Sequence, residues 1–422
     1  MRIEHVIEKV YNPEQLQSAW HQVKKNAGAA GVDHMEVEDF LERGAELGPM
    51  ISRKLKEGIY RFKPARRVWI EKDGGSGKRP LGIPTVMDRI VGTSIHLTLE
   101  ELFDSEFSES SFGFRRNKSQ HMAIGHVQSS VSEGFEYCAS IDLKGFFDNI
   151  PHDLILKLIR RKIADERFVT LIARALKAGV IEDGEYQKTH KGCPQGSPLS
   201  PIISNIVLNE LDKELENRGL RFCRWADDFV IMARSPRASQ RILSSITRYL
   251  EENLGLEVNK AKSCAGEIKE ITFLGFKFYR GKIGISQKSI TKFKNKVRLL
   301  TKRNNPLSMY QIILKLNVFL RGWVNYFKIQ EFKKIFNELD GWIRSRLRSM
   351  QLKKWKNPRK FQSMMIKAGF DIQRAKRTWI KMDRWQSTVR QEVKYTLNLQ
   401  WFRDWELIFL KDFVNCNSSP VV

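Results

Sequence analysis

The sequence has little of what marks a secreted, disulfide-bonded or membrane-embedded protein. Its five cysteines, Cys138, Cys193, Cys223, Cys264 and Cys416, are scattered, odd in number and without a CxxC pair. That spacing argues against a disulfide framework and against a zinc cluster. No stretch approaches the roughly 18 uncharged apolar residues that cross a bilayer, so no membrane partner is expected. The first residues, MRIEHVIEKVYNPEQL, mix acids and bases and contain no apolar signal core, which predicts a cytoplasmic protein. His96, His121, His126, His152 and His190 show no metal-ligand spacing. Internal repeats and low-complexity tracts are missing too.

Acids are also in short supply. The 422 residues hold 48 Asp and Glu against 73 Lys and Arg, a net charge of +25, and such an excess points to a polyanionic partner. Its placement narrows the choice. Between Lys288 and Lys360 stand twenty Lys and Arg against Glu331, Glu338 and Asp340, a net +17 in one segment. Aromatic residues are interleaved with that charge, as nucleic-acid surfaces require and merely solvated helices do not.

The apolar pattern alternates between helical and strand periods. Val6, Val10, Leu16 and Trp20 mark helical faces near the start, followed by expected helices over Val37–Glu46 and Gly48–Glu57. RRVWI and KRPLGI flank the turn DGGSG and predict a β-hairpin carrying Lys72, Lys78 and Arg79. Glycine at such a tip with nearby cations can present N–H groups and charge to phosphates, although glycine-rich tips are common. A helix follows from Asp88, read as its cap residue, to Phe107. Tyr137–Leu143 predicts a buried strand, and Glu182–Pro201 a hairpin running into a loop. Helices are expected over Pro198–Asn217 and Arg237–Leu254, and from Ser286 onward. Trp323, Tyr326 and Phe327, at helical spacing, read as core, leaving Arg321 and Lys328 on that helix free for nucleic acid.

The carboxylates supply the sharper signal. Asp227 and Asp228 stand between LRFCRW and FVIMAR, two strand-like flanks. Alone they are as well explained by a solvated hairpin tip as by a site. Asp142, at the end of the Tyr137 strand, gives them a partner distant in sequence. Such a set suits magnesium, which takes a few carboxylates and keeps other positions for water and phosphate.

With those stretches in view, the chain resembles the reverse transcriptases, and among them the reverse transcriptase/maturases encoded by bacterial group II introns. SIDLKGFFDNI, GCPQGSPLSPIISNIVLNELD, RFCRWADDFVIM, LEVNKAKS and FLGFKF stand in the order of that family's polymerase motifs. RRVWIEKDGGSGKRPLGIPTVMDRIV and the maturase-like LRGWVNYFKI add to them. The resemblance covers about residue 24 to about residue 390. It implies an α+β right-hand fold with fingers, a palm built on an antiparallel sheet, a helical thumb and a small helical C-terminal module. The implied domains are a helical extension over 1–62, fingers and palm over 63–286, thumb over 287–361 and a DNA-binding-like module over 362–422, which includes Trp379, Trp385, Trp401 and Trp405.

The resemblance also implies roles. Asp142, Asp227 and Asp228 would hold two Mg²⁺ ions, with Mn²⁺ as a substitute, and Lys262, or its neighbour Lys260, would protonate the leaving pyrophosphate. Phe147 would be the gate that rejects a ribose 2′-hydroxyl, Lys72 and Arg79 would hold the dNTP triphosphate, and Gln195 would line the nucleotide pocket. Leu274 and Gly275 would form the primer grip. Arg321, Lys328, Arg344, Arg346 and Arg348 would grip nucleic acid through phosphates, since an A-form duplex is read by shape and backbone. The implied partners are an RNA template, a DNA or RNA primer, group II intron RNA and target DNA. A homodimer stays open, as does association with the bacterial nucleoid.

Two departures stand out. Trp225 occupies the place where the family usually has tyrosine, and the hairpin loop is altered in spacing, which leaves Lys72 and Lys78 as competitors. No His-Asn-His or paired CxxC pattern follows the tail, so a C-terminal endonuclease is not expected. A free-standing reverse transcriptase serving repair or defence, and an RNA-binding splicing protein with polymerisation secondary, are the alternatives.

Overall fold

A computed structural model describes residues 2–71, 77–193, 195–355, 358–380 and 388–415. Two compact units divide the chain, 1–274 and 275–422. Among the described residues no helix is long and apolar enough to cross a membrane.

Two sheets organise the first unit. β1 (Ala65–Glu71) and β2 (Lys78–Ile83) form the expected antiparallel hairpin. β3 is Tyr137–Ile141, β4 is Val180–Glu182 and β5 is Glu185–Gln187. β6 (Phe222–Trp225), β7 (Asp228–Ala233) and β8 (Cys264–Glu267) follow. One sheet runs β2-β1-β4-β5, with β1 parallel to β4; the other runs β6-β7-β3-β8 and is antiparallel throughout. The run FVIMA in β7 is continuously apolar because Phe229 through Ala233 are all buried, with strands on both sides.

Helices close the core. Val86–Phe103, Glu166–Leu176 and Ser200–Asn217 bury their apolar faces in one cluster with the short N-terminal helices Val6–Tyr11 and Pro13–Asn26. The 1–62 segment is therefore built into the same core as the sheet that carries the acids. Pro236–Asn253 starts where Ser235 accepts from the Ala238 N–H, with proline at the first position, where its missing donor does no harm.

Two local expectations fail for physical reasons. Val37–Lys56 is one helix with Pro49 inside it, not two. Proline removes one backbone donor, but Phe40, Leu47, Ile51 and Leu55 stay buried on one face and hold the turns together. Asp88 is not the cap of its helix. Thr85 is, accepting from the Asp88 N–H, and the helix covers Val86–Phe103. Asp88 is instead buried, accepting from Tyr60 Oη at 2.8 Å, Thr85 Oγ1 at 2.7 Å and the Lys63 N–H at 3.1 Å.

The second unit opens on a two-stranded sheet, β9 (Phe276–Tyr279) and β10 (Lys282–Ile285). The helices Gln287–Leu300, Met309–Phe327 and Lys334–Lys354 follow, the middle one opened by a reciprocal Ser308–Gln311 capping box. Trp323 lies 4.3 Å from Phe293 and 4.8 Å from Phe327, centroid to centroid. The unit boundary at 274/275 gives β9 and β10 to this unit, upstream of the expected 286/287 division. In the tail, Phe361, Met365, Ala375, Val393 and Leu397 are buried in a cluster of their own with Leu352. Phe402, Leu407, Phe409 and Leu410 are buried in the same cluster as Leu316, Leu320 and Leu347.

Candidate active site and basic surfaces

Register brings the acids together. Ile141 in β3 pairs with Phe229 in β7, so the next residue along β3, Asp142, comes out beside Asp228. Across the β6–β7 hairpin Trp225 pairs with Asp228, leaving Ala226 and Asp227 as a two-residue turn. Three carboxylates thus meet at one end of the sheet. Burial, and then Asp142, push Asp227 above the usual carboxylate range. Asp228 reaches solvent on one side but is crowded by protein; that crowding, then Asp227 and Asp142, push it up to about 7. A cation at this point would reverse both shifts by favouring the ionised forms.

The turn is held under constraint. Ala226 has φ 56°, a conformation that favours glycine. Arg224, fully buried, donates to the Ala226 carbonyl at 3.0 Å and to Asn205 Oδ1 at 3.0 Å. Its guanidinium also grips buried Asp212 through Nε–Oδ1 at 2.8 Å and Nη2–Oδ2 at 2.5 Å. Asn205 in turn donates to the Gly113 carbonyl at 2.9 Å. Segment 110–113 runs against β6, with Arg224 N–H to Ser110 O and Phe112 N–H to Arg224 O both at 2.9 Å. A Cβ on Gly113 would lie 2.2 Å from the Ala226 nitrogen. Arg224, Asp212, Asn205 and Gly113 were missed in the sequence. A basic residue two positions before the turn, inside an apolar strand, was the available signal.

On the other side of the acids, Asp142 is fixed by its backbone. Its N–H donates to Ser263 Oγ at 3.0 Å, and its carbonyl accepts from the Asn259 N–H at 2.8 Å. Lys262 Nζ stands 3.7 Å from Asp142 Oδ2, with both side chains open to solvent. No such contact exists for Lys260 among the described residues. Among the described residues no three His, Cys, Asp or Glu side chains stand so as to hold a metal ion by themselves, and the donors Asp142, Asp227 and Asp228 offer are oxygen only. That fits magnesium, which leaves positions to water and substrate phosphate.

The implied nucleotide pocket is partly assembled. Phe146 is core, while Phe147 is half-buried, 5.3 Å from Phe146 and 6.5 Å from Phe114, which is 44% exposed. Phe114 is a second aromatic on that wall that the sequence did not single out. The Gly82 N–H donates to the Gln195 carbonyl at 2.7 Å, docking the PQG loop onto β2. A side chain at Gly196 would strike the Gly82 carbonyl at 2.4 Å. The Gln195 side-chain amide has no hydrogen-bond partner among the described residues, and Arg79 lies exposed on β2. Lys72 falls outside the described residues. Leu274 has φ 49° and Gly275 φ 82°, and the Gly275 carbonyl accepts from the Ser286 N–H at 3.0 Å.

The basic helices divide into two kinds. Arg321 is exposed and Lys328 half-buried. Arg346 instead donates to Thr301 Oγ1 at 2.7 Å and to the Thr301 carbonyl at 3.1 Å, bracing Lys334–Lys354 against the end of Gln287–Leu300. Arg348 is 7% exposed and donates through Nε to the Leu397 carbonyl at 3.0 Å. Arg344 lies over the Phe409 ring, 5.7 Å from its centroid. The three arginines expected to grip nucleic acid, 344, 346 and 348, therefore differ in their surroundings. Arg346 has internal partners, because its side of the helix packs against Thr301.

Comparison with known proteins agrees with this geometry. Residues 70–278 match the family described as reverse transcriptase (RNA-dependent DNA polymerase), and residues 290–367 match the group II intron, maturase-specific domain. Protein YkfC of Escherichia coli K12 is 32% identical over 321 residues, 66% of this chain and 84% of that protein. The group II intron-encoded protein LtrA of Lactococcus lactis subsp. cremoris is 35% identical over 228 residues, 53% of this chain but only 37% of LtrA. A putative COX1/OXI3 intron 1 protein of Saccharomyces cerevisiae is 41% identical over 168 residues, 40% of this chain and 20% of that protein.

Proposed function

From the premise that this chain belongs to the reverse transcriptases, in the branch carrying a group II intron maturase-specific domain, we propose that it extends a primer 3′-hydroxyl with dNTPs on an RNA template. It also assists splicing and mobility of a group II intron. The observation that carries the polymerase reading is the meeting of Asp142 with Asp227 and Asp228 at one sheet end.

Asp142, Asp227 and Asp228 would hold two Mg²⁺ ions, which supply Lewis acidity at the reacting phosphate and at the 3′-hydroxyl. The chain's own residues do the positioning. Arg224 fixes the backbone that carries Asp227, and Ser263 and Asn259 fix Asp142. Phe147, half-buried beside Phe114, forms the wall against the sugar and excludes a 2′-hydroxyl by contact. Gln195 and Arg79 meet the incoming nucleotide, the amide by hydrogen bonding and the guanidinium by charge-assisted contact with phosphate. Lys262, beside Asp142, gives a proton to the departing pyrophosphate. Unit 1 supplies fingers and palm and unit 2 the thumb, with Arg321 and Lys328 meeting duplex phosphates. Intron RNA and target DNA are the further partners, and the setting is the cytoplasm.

Primer extension with dNTPs on an RNA template, beside a splicing assay with intron RNA, tests both halves. Full-length product with Mg²⁺ is expected. No product on any template would overturn the polymerase reading, and extension without any effect on splicing would overturn the maturase half.

A further inference from the structure

The C-terminal unit holds a concave site of its own. Helix Lys334–Lys354 and the stretch from Lys394 to Arg403 enclose a cavity of about 820 Å³ lined by Arg344, Arg348, Lys394, Arg403, Tyr395 and Asn398, among others. Four cations face one space, and no carboxylate lines it. The acid near Arg344 is Asp340, whose carboxylate accepts the Leu410 and Lys411 N–H groups at 2.9 and 3.1 Å.

Arg348 is the telling member. It is more than nine-tenths buried, yet its one hydrogen bond, from Nε to the Leu397 carbonyl, leaves both Nη atoms without a partner among the described residues. Burial and the adjacent Arg344 disfavour its charge. Aromatic faces orient the cations without neutralising them: Arg348 lies over Phe402, and Arg344 and Arg403 both lie over Phe409. Like charges gathered around a partly desolvated space are unfavourable until an anion enters. A planar guanidinium fork matches a phosphate best. Tyr395, 64% exposed at the rim, offers the flat face on which an unstacked base can lie.

We propose that this cavity binds a phosphate of single-stranded nucleic acid, with Arg348 and Arg344 as the forks and Tyr395 as the platform for the adjoining base. The site lies within the C-terminal unit and deepens the nucleic-acid reading of that unit; it does not depend on polymerisation at Asp142 and Asp227. The same cations would also accept a free polyphosphate, so the test separates the two sources.

Arg348→Met risks unfolding the unit, so the exposed members carry the test. A single-stranded RNA decamer bearing 4-thiouridine is bound to the full-length chain and photocrosslinked. Its affinity is followed by anisotropy against salt for the wild type, for Lys394→Gln/Arg403→Gln and for Tyr395→Ser. The expected crosslink falls at Tyr395. Removing two of the four cations around the one bound phosphate should weaken binding and reduce the salt slope by about 0.7, the share of one phosphate for single strands. Tyr395→Ser should weaken RNA binding several-fold and leave the slope unchanged. A wild-type slope in the double variant, or crosslinks that avoid residues 391–403, would overturn the proposal. Pyrophosphate that binds with unaltered affinity in the presence of saturating decamer would overturn the nucleic-acid source. Primer extension by the wild type is scored separately, so failure of this site and failure of the polymerase reading are distinguishable.

Discussion

The turn at Ala226–Asp227 and the helix Lys334–Lys354 each gather like charges within a few residues, but the protein handles them in opposite ways. At the turn the carboxylates crowd one another and the surrounding protein, while Arg224 holds the backbone through the Ala226 carbonyl and Asp212 holds Arg224. On the helix part of the charge is tied to the protein itself. Arg346 is bonded to Thr301, and Arg348 to Leu397. Charge that a turn displays is available for chemistry, whereas charge counted along a packed helix is partly structural. A net +17 segment is thus a weaker guide to individual contacts than two adjacent aspartates.

The largest test of that contrast lies in the buried pair. Arg224→Met should lower unfolding free energy by about 3–5 kcal/mol, because Asp212 is left buried without its partner, and primer extension should fall with it. Chemical denaturation reads the first effect; unchanged stability would mean that the pair does not hold the turn. Gly113→Ala comes next. Its new Cβ must displace the Ala226 nitrogen, and a shift of about 1 Å at such a site can cost on the order of 10²-fold in rate. Steady-state extension kinetics would show it, and a wild-type rate would separate segment 110–113 from the site. Phe147→Ala should raise ribonucleotide incorporation roughly 10-fold or more, the scale set by removing a steric wall. Competition between dNTP and rNTP measures it. The smallest effect addresses the helices. Arg321→Gln should reduce the salt slope of primer–template binding by about 0.9, one phosphate contact, whereas Arg346→Met should lower the melting temperature and leave the slope alone. A slope change in Arg346→Met alone would reverse the division drawn between them.

Much of the site was legible because it is local. The two-residue turn follows from strand-like runs on either side of Asp227 and Asp228, and the PQG loop and the β1–β2 hairpin announce themselves by glycine and proline. The pairing of Asp142 with that turn is a matter of register between β3 and β7, which no periodicity states; an acid at a strand end suggested it, and the family resemblance gave it a role. The network behind the turn was not legible, since Arg224, Asp212, Asn205 and Gly113 come from separate segments and each alone reads as ordinary. The division of Val37–Lys56 into two expected helices failed for the converse reason: the buried face that runs through the whole helix is set by its tertiary neighbours. The inward turn of Arg346 has the same origin. Its partner Thr301 ends a different helix.

Extension of a DNA primer on an RNA template by Asp227→Ala, with Mg²⁺ and with template binding measured on the same protein, tests the central claim most directly. Removing one of the converging carboxylates should reduce extension by roughly 10³-fold or more, the scale of several kcal/mol of lost charge stabilisation, with primer–template affinity nearly unchanged. A variant that still extends at the wild-type rate would contradict the assignment of the turn as the catalytic centre.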